Sequence, residues 1–343
     1  MSAGLSNNRE VKLIRHVQGE IHPENFAIME TTIPAPGPYE AVVRNRWFRV
    51  SISTRLMAQE DAKAAEGIPC PPLNPGDTLA DGAIGEVVQT GSGCSLPLGS
   101  LVMHPFGWRE YAVIHEHDGK LIDCLEPDPA AYLGHGWTAY AALTRGVQVR
   151  KGDTVFVSSG AGAIGSMAGQ IARLLGATRV IGSTSRSSKA RWMQEELGYD
   201  AVVTRDGGPM NEQLAKAAPE GIDVIVDMVG GEQLAAAIKL ARDGARGVLL
   251  GALTAELNAE KASLQAPVTL DSFQIIFKGM TLRGFSADHS PDAFGFWLRD
   301  LKTWKRDGRI HLTSTTFKGI ESSISALQEA CAGRLKGVVL IEL

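Results

Sequence analysis

At 343 residues the chain is longer than one hydrophobic core ordinarily organises, so two domains are expected. Hydrophobic residues make up 44% and charged residues 21%, with a formal net charge of −4, a globular balance that offers no basic face to a nucleic acid. No run of roughly 18 apolar residues is present for a membrane span, and the charge-dotted start from Met1 to Val17 lacks a signal-peptide core, so a cytoplasmic protein is expected.

Up to about residue 125 the chain reads as short β segments. Examples are Tyr39 to Arg44, Gly82 to Val88 and Arg109 to Ile114, separated by turn-formers such as Pro34-Ala35-Pro36-Gly37-Pro38 and Asn74-Pro75-Gly76-Asp77. That pattern predicts a β-rich domain. Near Tyr132 the grammar changes. Helical periodicity from Thr138 to Leu143 leads into a strand at Asp153–Ser158. Alternation follows: helix 163–175, strand 178–184, helix 187–197, strand 201–204, helix 210–218, strand 223–229, helix 232–241 and strand 245–253. Parallel strands need such crossovers, so a doubly wound sheet is expected. A long connection over 254–280 holds an amphipathic stretch, Leu270 to Lys278, and Thr281 to Ala287 would supply the sixth strand. From Pro291 the tail contains a helix, a strand near Thr313 to Phe317, a second helix and a closing strand, Gly337 to Leu343. The tail predicts a return to the first domain.

Cys70, Cys94, Cys124 and Cys331 are far apart and form no CxxC pair, which favours reduced thiols over a disulfide framework or a structural zinc site. His104, His115, His117 and His135 are isolated, and hydrogen-bonded or surface side chains account for them better than ligation.

Gly160-Ala161-Gly162-Ala163-Ile164-Gly165 sits between a strand and a helix, the context that makes a GxGxxG pattern informative. The first glycine permits the tight turn, the second admits a pyrophosphate, and the third lets helix pack on strand. The helix start then offers its N–H groups to the phosphates. NAD-binding chains usually end the second strand with a carboxylate. Here the text is Ser183-Thr184-Ser185-Arg186-Ser187-Ser188-Lys189, with no carboxylate before Glu195. Ser185, Arg186 and Lys189 suit the extra charge of a 2′-phosphate, so NADP(H) is the expected cofactor. The alternative for Arg186 is a charge at a solvated helix start.

Several stretches resemble the medium-chain dehydrogenase/reductase superfamily. They include Pro23-Glu24-Asn25-Phe26, Gly107-Trp108-Arg109-Glu110-Tyr111, Thr138-Ala139-Tyr140, Gly160 to Ala177, Asp227 to Glu232, Leu282-Arg283-Gly284-Phe285 and Asp288-His289. Within the superfamily they are similar to its zinc-independent double-bond reductases, the group that includes 2-alkenal and prostaglandin/leukotriene reductases. The resemblance implies an α/β fold: a Rossmann doubly wound six-stranded parallel sheet over 126–290, plus a discontinuous β-rich GroES-like domain from 1–125 and 291–343. It implies a homodimer joined by edge strands, and a small hydrophobic or conjugated carbonyl substrate. It also implies that Val229-Gly230, Gly251-Ala252-Leu253 and Phe285-Ser286-Ala287 frame the nicotinamide with Thr138 beneath.

The chain departs from the group's pattern in several places. Neither Ala80 to Val87 nor Val50 to Thr54 carries the zinc ligands of related alcohol dehydrogenases, so no metal is expected. The substrate loop is altered at Ser53 and Arg55, and the pocket wall at His135 and Trp137. Arg205 stands where the group has a phosphate-contacting Tyr. Arg334 stands in its Asn-x-x-Gly-Lys pattern, as a cofactor contact or as a surface charge. Glu256 replaces a Tyr after the fifth strand, as a proton donor or as a solvent-facing carboxylate. The resulting expectation is an NADPH-dependent, metal-free reductase of an activated C=C bond. The alternatives are a quinone oxidoreductase and an NADPH-binding protein with little catalysis.

Overall fold

Strands that turn one face to a core dominate the first part of the chain. The computed structural model describes residues 7–63, 71–122 and 127–343. Cys70, Cys124 and the first six residues of the Met1–Val17 segment lie outside the described residues. β1 (Asn8–Leu13) and β2 (Phe26–Thr31) form an antiparallel hairpin. β3 (Glu40–Arg49) is the central strand of a larger sheet, pairing with β4 (Ala83–Thr90) and β6 (Tyr111–His115). β5 (Leu101–His104) and β7 (Lys120–Leu121) extend that sheet beyond β4. The chain returns at β14 (Ser314–Lys318) and β15 (Val338–Glu342), and β15 pairs with β3. Phe48 and Trp108, both fully buried, meet at 5.4 Å between ring centroids in the core of this unit.

The second unit is α/β and wholly parallel in its sheet. Its strands are β8 (Thr154–Val157), β9 (Arg179–Thr184), β10 (Ala201–Thr204), β11 (Ile222–Asp227), β12 (Ala241–Leu249) and β13 (Thr281–Gly284). Their spatial order is β10-β9-β8-β11-β12-β13. The helices Gly165–Leu174, Ala190–Leu197, Met210–Ala217 and Gly231–Lys239 supply the crossovers. The order reverses direction between β8 and β11, and in sheets of this kind ligands bind beyond the carboxyl ends of the strands at such a point.

The boundaries differ from those read in the sequence. The β-rich unit runs through Gly134 and takes in Ala259–Ala262 and Ser314–Leu343, while the parallel-sheet unit comprises His135–Asn258 and Ser263–Thr313. The helix Ala293–Arg306 therefore belongs with the parallel sheet. The reason is packing: a Cβ on Gly136 would lie 2.3 Å from the buried Trp297 ring, so only glycine lets the helix Gly136–Ala141 approach so closely. Tyr140 donates a 2.7 Å hydrogen bond to Asp300 across the same pair of helices. β12 also ends at Leu249, four residues short of the expected end, because the chain turns into the short helix Leu253–Glu256.

His104 is one of the isolated histidines, and it is buried. Its Nδ1 accepts from the Phe106 N–H at 3.2 Å, leaving the proton on Nε2, 2.8 Å from Asn45 Oδ1. Burial, with Arg109 nearby, depresses its pKa to about 3. In the unfolded chain the ring titrates near 6.5. Between these values the unfolded state binds the extra proton, so stability falls as pH falls through that window. We expect wild-type Tm to drop between pH 7 and pH 5, and H104Q to lose less over the same interval. Parallel pH profiles of the two proteins would refute this assignment.

Candidate functional site

The parallel-sheet unit gathers most of the sequence-predicted residues at one end. β8 ends at Val157 and the helix begins at Gly165, two residues later than the periodicity suggested. A Cβ on Gly165 would lie 2.2 Å from the Ser159 carbonyl oxygen and 2.6 Å from Gly160 Cα, so the helix start is pressed onto the turn. Gly162, Ala163 and Ile164 are half-exposed. A Cβ on Gly162 would meet little beyond the Ser159 residue, at 3.0 Å. The turn is thus open on the side where the unpaired N–H groups of a helix start face outward. Its donors and open side fit a dinucleotide pyrophosphate.

Tyr199, which the sequence reading missed, shapes this turn. Its buried ring lies where side chains at Gly160, Gly169 and Gly182 would be, and its hydroxyl donates to the Gly165 carbonyl at 2.7 Å. Burial pushes its phenol up. Ser159 adopts φ 51°, a left-handed conformation unusual for a non-glycine residue. Its N–H donates to Ser183 Oγ at 3.0 Å, and that hydroxyl donates in turn to Gln233 Oε1 at 2.5 Å.

A second network ties this turn to the residues expected around the nicotinamide. Asp227 closes β11 and is buried. It accepts from Ser158 Oγ at 2.7 Å and from the Gly230 N–H at 2.7 Å, with a longer 3.4 Å bond from the Val229 N–H. Ser158 Oγ also accepts from the Met228 N–H at 2.8 Å. Burial raises the Asp227 carboxyl, while these donors pull it back toward the charged form. The Leu250 N–H donates to the Asp227 carbonyl, and the Leu253 N–H to that of Met228. The Thr254 hydroxyl donates to the Val229 carbonyl at 2.8 Å. Val229-Gly230 and Gly251-Ala252-Leu253 are therefore held together by main-chain bonds. The Phe285 N–H donates to the Leu249 carbonyl, and Ser286 caps the turn that follows by accepting from the Asp288 N–H. Trp137 and Phe285 pack around Ala141, Ala287 and Ala293. His135 Nδ1 lies 3.5 Å from Thr138 Oγ1. Glu256 is half-buried, with Oε1 3.9 Å from where a Cβ on Gly251 would sit.

At the far end, β9 and β10 stop in register, with Thr184 opposite Thr204. Ser185 is half-buried, and Arg186 and Arg205 follow the two strand ends, both exposed. Neither forms an ion pair with a described side chain. Lys189, just before the helix Ala190–Leu197, is 7% exposed. Arg186 and Arg205 thus stand exposed just past the ends of two adjacent strands. The remaining predicted residues lie in the β-rich unit. Arg334 forms a bidentate pair with Glu329 at 2.5 and 2.8 Å, and that partner raises its pKa. Ser53 and Arg55 lie on the helix Ser53–Met57. Arg55 is buried, and its guanidinium donates twice to the Gly19 carbonyl.

We expect Arg186→Ala and Arg205→Ala each to weaken NADPH binding by about tenfold, roughly 1.4 kcal/mol, with little change for NADH. Equal losses for both cofactors in a fluorescence titration would remove these residues from the 2′-phosphate end.

Comparison with known proteins points to oxidoreductases. Residues 163–297 match the family model described as zinc-binding dehydrogenase, and residues 9–122 match the N-terminal domain of oxidoreductase. Although the first description names zinc, no group of three or more His, Cys, Asp or Glu among the described residues is arranged to hold a metal ion. A putative NADP-dependent oxidoreductase, YfmJ, of Bacillus subtilis is 29% identical, with 98% of each chain covered. The NADPH-dependent curcumin reductase of Escherichia coli is 26% identical, over 100% of this chain and 99% of the relative. The crystal structure of CurA from Vibrio vulnificus in complex with NADPH superposes with a TM-score of 0.86 at 26% identity, covering 97% of this chain and 98% of that one. These matches support the chain's resemblance to the medium-chain dehydrogenase/reductase superfamily and to its NADPH-dependent double-bond reductases.

Proposed function

We propose that this protein is an NADPH-dependent reductase of activated C=C bonds in small or medium α,β-unsaturated carbonyl compounds. What carries the reading is full-length similarity to NADPH-dependent reductases in a chain that presents Arg186 and Arg205 past adjacent strand ends. When bound, NADPH supplies the hydride that reduces the β-carbon. The chain's own work is binding and orientation. The turn Gly160–Gly165 receives the pyrophosphate, and Arg186 and Arg205 receive the 2′-phosphate. The Ser158–Asp227 network fixes the main chain at Val229-Gly230, against which Gly251–Leu253 is bonded. Trp137 and Phe285, with the half-buried Thr138, exclude water from the neighbouring surface. In this reading the Glu256 carboxyl holds the proton delivered to the α-carbon.

We place the protein in the cytoplasm as a homodimer. No helix among the described residues is long and apolar enough to cross a membrane. β13, at the edge of the parallel sheet, is mostly exposed, and the preceding helix exposes Phe273, Ile276 and Phe277. A monomer mass by light scattering would count against the dimer.

The test is NADPH consumption with product analysis against enals, enones, quinones and saturated alcohols. Saturated carbonyl products from enals or enones are expected. Turnover of saturated alcohols alone would refute the reading, and quinone reduction without alkene reduction would reassign the substrate. On the best alkene, E256Q should lower kcat by about tenfold or more with little change in KM. An unchanged kcat would make solvent the proton source.

A further inference from the structure

The sequence after β9 offers no carboxylate near the expected 2′-phosphate end, yet the fold supplies one from the neighbouring strand. Asp206 follows Arg205 directly. Its Oδ2 accepts from both the N–H and the hydroxyl of Ser187, each at 3.2 Å. Ser187 in turn directly follows Arg186. The two loops are therefore joined at two levels. The inner one is main chain, where the Arg205 N–H donates to the Thr184 carbonyl at 3.1 Å just past the register pair Thr184–Thr204. The outer one is the Asp206–Ser187 clamp. Arg186 lies between the two joints on its loop, and Arg205, whose N–H makes the inner one, directly precedes the clamp.

We propose that Asp206 is a positioning residue for dinucleotide selectivity: its clamp on Ser187 holds the loops that present Arg186 and Arg205, so that both guanidinium groups meet one 2′-phosphate. The inference rests on the NADPH reading above and extends it to a carboxylate, whose own charge would by itself oppose a phosphate. Two physical points decide between clamp and repulsion. The carboxylate is fully exposed, where water and salt screen its charge. Hydrogen bonds from the Thr204 side chain and from Ser187 hold its pKa below the usual carboxylate range, so the acceptor is in place at neutral pH. Two cations on separate, unclamped loops would have to be ordered by the ligand, and that ordering lowers affinity.

The test uses the full chain and measures Kd for NADPH and for NADH by fluorescence titration, alongside Tm. D206A removes the clamp and the charge together, whereas D206N keeps an acceptor for Ser187 without the charge. D206A should weaken NADPH by about fivefold or more, leave NADH within about twofold, and keep Tm near wild type. D206N should restore most of the NADPH affinity. Tighter NADPH binding by D206A would show that repulsion dominates and overturn the proposal. Equal weakening of both cofactors, or no change in either, would also overturn it. The wild-type control separates this inference from the reading beneath it. A wild type without preference for NADPH sinks both, whereas a clear preference that D206A leaves intact sinks the clamp alone.

Discussion

The glycine-turn end of the parallel sheet depends on one steric exchange: a tyrosine ring occupies the volume that three glycines leave empty. Gly160 lies in the turn, Gly169 on the helix after it and Gly182 on the next strand, and Tyr199 reaches all three from beyond the following helix. A methyl group at any of them would lie within 2.4 to 3.1 Å of Tyr199 or Met193 atoms, so larger residues would force the layers apart. The hydroxyl then binds the Gly165 carbonyl, which converts a shape match into a directional one. To receive a phosphate, as proposed, the turn must keep its N–H groups aimed at one place. Here that aim is set from below, by packing that no ligand has to supply.

Two polar networks carry that rigidity outward. Ser183 and Gln233 hold the left-handed Ser159, and Ser158 and Asp227 join the turn to the start of the next helix. Each of these groups is buried or half-buried with its partners supplied, the condition under which polar networks specify a single arrangement. The sheet's reversal point therefore has both of its lips tied to one another by side chains about 70 positions apart in the sequence.

Much of this was legible in the sequence, for reasons that can be named. The glycine turn, the alternation of strands and helices and the cationic text after the second strand are local patterns, and local patterns survive without coordinates. Tyr199 gave no such signal, since a tyrosine after a helix end is ordinary until three distant glycines are seen to surround it. Asp206 was invisible to a search confined to the second strand's end, because the neighbouring strand brings it there. Lys189 reads as a phosphate contact and Arg55 as part of the substrate loop, yet burial is a tertiary property and both side chains lie inside. The helix Ala293–Arg306 was grouped with the tail for a similar reason. Its partner is Gly136, whose lack of a side chain is informative only once Trp297 is seen against it.

The order of segments along the chain has a consequence for how the protein is made. The β-rich unit draws its strands from both ends of the sequence, and β15 pairs with β3 some three hundred residues away. The parallel-sheet unit lies almost entirely between those ends. On a ribosome, the inner unit has all its parts once Thr313 has emerged, whereas the sheet of the outer unit waits for β15. Until then the flank of β3 that β15 will cover is an open strand edge, a template for pairing with other chains. Truncation at the C-terminus would leave the nucleotide-binding unit's own strands intact and expose that edge permanently. Such a protein would be lost to aggregation before any loss of its dinucleotide fold.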